Sequence, residues 1–142
     1  PAVSIDNSLE VGDDVFVADL IMADFTNCII YGNERREFSV FQHPAADFNF
    51  NFENSLLRFE DPTGEFSDEP LYNFDNAALY TATLFNLDPV FQNTELNNFN
   101  IETENSGAEN IGKNGVGPNL DLNNIPRSNP PDAGAYETTE FD

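Results

Sequence analysis

The chain has 142 residues, with 26 Asp and Glu against 5 Lys and Arg, a formal charge of −21. Such a surface repels phosphate, which excludes nucleic acid and anionic lipid headgroups as partners. The length suits one domain that buries roughly 70% of its unfolded surface, and 39% hydrophobic residues, including 14 Phe and 4 Tyr, supply a core and argue against disorder.

Self-repulsion at this charge strains the compact state, and salt or divalent cations relieve it. A high-salt or calcium-bearing extracellular setting fits, as does a merely soluble surface. Cys28 is the single cysteine, so no internal disulfide forms. Its aliphatic surroundings predict a small buried hydrophobe rather than a reactive thiol. No apolar run approaches the ~20 residues of a membrane span. The chain starts at Pro1 without Met or a signal peptide, which reads as a processed start or as part of something longer.

In chain order, the first unit is Ile5-Asp6-Asn7-Ser8. "DFTNCIIYGN" at 24–33 and "NFENSLLRFE" at 51–60 repeat an aromatic, a polar residue, Asn, a small residue and two aliphatics. Phe74-Asp75-Asn76-Ala77 is the next candidate. Asn7, Asn27, Asn54 and Asn76 lie 20, 27 and 22 positions apart by subtraction, and spacings of that size belong to solenoids. Phe48, Phe50 and Phe52 alternate with Asn49, Asn51 and Glu53, the two-residue period of a strand with its phenylalanines on one face. "YGNE", "DPTGE" and "ENSGAENIGKNGVG" are turn formers. The segment 75–85, "DNAALYTATLF", is the best helical candidate, although its Thr residues favour strand.

Short strands, tight turns and this spacing predict an all-β fold, a right-handed parallel β-helix of about four coils with an irregular C-terminal cap. The recurring Asn would adopt the left-handed backbone conformation at each bend, and the amides would ladder up the stack. About five large apolar side chains per coil, at ~2 kcal/mol each, do not offset the ordering of one coil at ~1 kcal/mol or more per residue. The coils must therefore stack. They are expected over residues 1–100, with a lateral loop near 34–47 and the cap over 101–142. His43, the only histidine, falls in that loop and reads as solvated rather than as a metal ligand or base.

From about residue 20 onward the chain resembles the C-terminal part of bacterial right-handed parallel β-helix surface proteins of the choice-of-anchor Q kind. The pieces are "NCIIYGN" at 27–33, "LDPVF" at 87–91, "NSGAENIG" at 105–112 and "IPRSNPPDAGAYE" at 125–137, in the family's order. Gly107 stands where that family has Pro, and Asn110 where it has Asp. The resemblance implies a secreted or bacterial cell-surface protein and the remainder of a longer β-helix as its partner. Independently, the density of Gly, Pro and Asn over 104–137 suits a cap that stops strand propagation. Its expected anchors are Ile111, Leu120, Ile125 and Tyr136, with Arg127 paired to Asp132 or Glu137.

For chemistry, a lyase needs carboxylates holding calcium plus a basic residue; Arg35, Arg36, Arg58, Lys113 and Arg127 are the cations, and only Arg58 sits on a predicted strand. A hydrolase needs converging carboxyls. Gly12-Asp13-Asp14, then Asn33 and Glu34, then Glu60 and Asp61, would form one acidic column if the coils stack, readable as a solvated row, a calcium site or a catalytic group. No catalytic or cofactor-binding residue is nominated, and calcium is the one candidate cofactor. The leading expectation is a non-catalytic acidic scaffold for polysaccharide or another surface protein. The alternatives are a lyase or glycoside hydrolase fragment and a passive stalk or assembly subunit.

Overall fold

The structure, a computed structural model, describes residues 1–141. Strand β1 (Val3–Asp6) leads into a hairpin, β2 (Ser8–Val11) and β3 (Asp14–Val17), turned by Gly12 at φ 64°. Then come β4 (Asp24–Thr26), β5 (Ile29–Ile30), β6 (Phe38–Phe41), β7 (Asn51–Glu53) and β8 (Leu56–Leu57). Beyond a 3-10 turn at Pro70–Tyr72 lie β9 (Tyr80–Thr81) and β10 (Leu84–Phe85). Last are β11 (Phe91–Asn93), a 3-10 turn at Thr94–Leu96 and β12 (Asn98–Ile101).

Two three-stranded parallel sheets run β4-β7-β9 and β5-β8-β10. Phe25, Phe52 and Tyr80 stand in register in the first, and Ile29, Leu56 and Leu84 in the second. Strand β1 pairs parallel with β6, whereas β2–β3 and β11–β12 are antiparallel. The expected right-handed parallel β-helix of about four coils is therefore corrected. The sheets hold two or three strands, parallel and antiparallel pairs are mixed, and none continues as a solenoid or closes. The physical reason is strand length: pairs of two to four residues, separated by turn-rich stretches such as 61–79, give no continuous ladder to propagate.

The asparagine column is corrected with it. Asn27 and Asn54 do take left-handed φ of 56° and 49°, but the third equivalent position is Ala82 at φ 47°. Asn76 lies in a turn, its Oδ1 accepting from the Ala78 amide. Buried Asn7 instead fastens the 43–47 segment, accepting from the His43 amide and donating to the His43 carbonyl. Within residues 75–85 the chain runs as turns to 79 and then holds β9 and β10, with no helix.

An aromatic cluster forms the main core, with Phe38 1% and Phe52 0% exposed. Phe38 belongs to β6, so the segment 34–47 that reads as a lateral loop delivers a central core residue. Phe48, Phe50 and Phe52 pack ring to ring along one face, and Phe52 stacks between Phe25 at 4.8 Å and Tyr80 at 6.0 Å. The hydroxyl of buried Tyr80 donates to the Leu71 carbonyl, which meets the need of a buried phenol for a partner. A second cluster, Leu56, Ile101, Ala108 and Ala133, lies under the C-terminal segment.

Candidate functional site

The asparagine bends position the C-terminal segment. Asn27 accepts from the Lys113 amide at 2.6 Å and donates to its carbonyl at 3.1 Å, while Asn54 donates to the Ile111 carbonyl at 2.7 Å. The amides thus clamp residues 111–113 rather than laddering with each other. Lys113 adds an ion pair to Glu53 at 2.8 Å. Further along, Gly134 at φ 90° donates its amide to the Asn27 carbonyl, and a Cβ there would stand 2.8 Å from Ile29 Cδ1. Only glycine combines that φ with that approach.

Three buried carboxylates hold the rest of the segment. Asp132 accepts from the amides of Asn110 and Thr138, both at 2.6 Å. Asp121 accepts from the amides of Asn123, Ile125 and Glu137. Glu137 accepts from Arg127 at 3.0 Å, from the Ser128 amide at 2.9 Å and from the Asp132 amide at 3.1 Å. Of the two carboxylates considered for Arg127, the pairing falls to Glu137. Burial pushes the Glu137 carboxyl up, but hydrogen bonds from Ser128, Arg127 and Asp132 outweigh it and hold the group below its ordinary range.

This framework walls a polar cleft of about 580 Å³ between residues 114–119 and 127–134. Among the described residues Arg127 and Asp132 are its only charged lining residues, and both are engaged by the bonds above. Asn114, Asn119 and Asn129, all exposed, also line it, and their side chains make no hydrogen bond among the described residues. Gly115 and Gly117 turn the outer wall at φ 73° and 83°, with open space around each. A second, apolar cavity of about 360 Å³ shares Gly134 as a wall and is lined by Tyr31, Phe91, Phe99 and Tyr136. Of the expected anchors, Ile111 packs on the second cluster, whereas Leu120 is 45% exposed.

The other polar residues singled out in the sequence are scattered. Asp13 and Asp14 sit at the tip of the β2–β3 hairpin, Asp14 opposite Val11. Glu60 pairs with Arg58 at 3.0 Å, and Asp61 lies 3.6 Å from Arg36, itself 2.9 Å from Glu65. Glu34 donates its amide to Glu37. The acidic column is therefore not assembled, and no three His, Cys, Asp or Glu side chains converge as a metal-ligand set among the described residues. His43 is half-buried, and its Nδ1 accepts from the Ala45 amide at 3.3 Å. Cys28 is half-buried too, and burial pushes its thiol up, which removes thiolate character.

Sequence reasoning missed the carboxylate network around Asp121 and the role of Asn27 and Asn54 as clamps, because both depend on partners 57 or more residues distant along the chain or on backbone amides. It also missed the β2–β3 hairpin, although a Gly-Asp pair flanked by alternating apolar residues is a local signal for one. Among the described residues no helix is long and apolar enough to cross a membrane. No family model, curated protein or solved structure matches the chain.

Proposed function

We propose that this protein is a non-catalytic acidic scaffold, secreted or at a cell surface, that holds a neutral polysaccharide in the cleft between residues 114–119 and 127–134. The observation that carries the reading is the set of unengaged amides of Asn114, Asn119 and Asn129 in a cleft whose charged groups are already paired. A side-chain amide offers both donors and an acceptor, which matches sugar hydroxyls that also do both. Aromatic rings in the adjoining cavity add apolar faces for a sugar ring. The charge of −21 disfavours uronate or sulfated chains. The acidic composition and the resemblance of the C-terminal pieces to surface proteins support the location.

Calorimetric titration with neutral and uronate oligosaccharides tests this. Neutral glycans should bind, and Asn119→Ala or Asn129→Ala should weaken binding by about 1 kcal/mol each through a lost hydrogen bond. Absence of binding across a neutral glycan panel would leave the passive stalk, and shortening of a bound polysaccharide would favour the lyase or hydrolase alternative.

A further inference from the structure

A different surface, on the β2–β3 hairpin, is apolar and exposed. In the β2–β3 hairpin Leu9, Val11 and Phe16 are 63%, 55% and 59% exposed. The cross-strand register sets Leu9 opposite Phe16 and Val11 opposite Asp14, so these three apolar side chains share one face. A groove of about 360 Å³ at the root of the hairpin continues that face, lined by Leu9, Phe16 and Leu20 with Asp6 and Asp19. Among the described residues the two strands pair only with each other, which leaves each with an unpaired backbone edge. A lone hairpin is marginally stable in water, and contiguous exposed apolar side chains beside a groove mark an interaction site.

Charge selects the occupant. Asp14 shares the face, Asp6 and Asp19 line the groove, Asp13 sits at the tip and Glu10 projects from the opposite face, and none makes an ion pair among the described residues. The ion pairs present engage Arg36, Arg58, Lys113 and Arg127, all elsewhere. A second copy would bring the same carboxylates against these and is disfavoured. We propose that the β2–β3 hairpin and its groove dock an extended segment of a basic protein partner, with apolar residues alternating with Lys or Arg. Its backbone would add to a free strand edge, its apolar side chains would lie beside Leu9 and Phe16, and its cations, on the alternate positions, would meet Glu10 on the opposite face.

Fluorescence anisotropy with a short labelled peptide of alternating Lys and Val tests the proposal on the intact chain. Leu9→Ser and Phe16→Ser, both at exposed positions and checked for an unchanged melting curve, should weaken binding about tenfold or more. Leu96→Ser, the same change at a residue 77% exposed elsewhere, should leave it unaltered. A peptide with Ser in place of Val should bind far more weakly, and one with Glu in place of Lys should not bind. Equal binding by the Val and Ser peptides would show attraction by charge alone and overturn the proposal, as would wild-type affinity in Phe16→Ser. Concentration-dependent dimerisation abolished by Phe16→Ser would assign the surface to a second copy instead. None of these variants touches the Asn-lined cleft, so this proposal and the glycan reading fail separately.

Discussion

At residue scale, Asn27 and Asn54 each combine a backbone role with a side-chain role. The left-handed φ suits asparagine better than most residues, and the amide then reaches the backbone of 111–113. Asn54→Ala removes the bond to Ile111 and keeps the strained φ, so it should destabilise by ~1 kcal/mol or more. An unchanged urea midpoint would show that the clamp contributes nothing. Glu137 gives a pH dependence. Its folded pKa lies below the ordinary 4.5, so its contribution is fully present above that value and is lost as pH falls through the folded one. Stability should drop on acidification below about pH 4.5, and Glu137→Gln should flatten that limb while costing about 2 kcal/mol or more at neutral pH by stranding Arg127. Denaturant midpoints across pH for both proteins check this.

At element scale, three strand–bend–strand units, 25–30, 52–57 and 80–85, lie side by side in register. Phe25 to Ile30 and Phe52 to Leu57 are legible as equivalents because both carry Asn at the bend. The third member, Tyr80 to Phe85, puts Ala82 there, so a search keyed to asparagine lands on Asn76 instead. Its equivalence shows in the residue after the bend. Ser55 Oγ accepts from the Cys28 amide at 3.0 Å, and Thr83 Oγ1 donates to the Phe52 carbonyl at 2.8 Å, both tying one strand connection to its neighbour. Ala82 is exposed with φ 47°. Ala82→Asn should therefore stabilise by about 0.5–1 kcal/mol, asparagine tolerating the left-handed region at less cost. A melting temperature lowered by this change would mean the bend demands something other than backbone tolerance.

At the scale of the whole molecule, charge is the dominant property. With a net −21 and most cations paired inside the structure, general screening should raise the melting temperature as sodium chloride increases. Without a converging ligand set among the described residues, calcium and magnesium at matched ionic strength should act alike. A clear excess for calcium in a thermal melt would reveal a site that the arrangement of carboxylates does not. The paired sheets and the two clusters also explain why the solenoid expectation exceeded the facts. Local periodicity extends over few residues, and the stretches between the strands pack as turns and 3-10 segments rather than as further rungs.

Sequence alone establishes the strand-and-turn character, the aromatic core, the left-handed bends at Asn27 and Asn54 and the net charge of −21. Each follows from short-range backbone preference, alternation or summed charge, none of which needs a distant neighbour. Tertiary structure alone decided that Arg127 meets Glu137, that Asn54 holds Ile111, that Ala82 completes the strand set and that the β2–β3 hairpin stands uncovered. Those outcomes depend on which of many chemically similar groups reaches a given spot, and burial and register across the whole chain select among them.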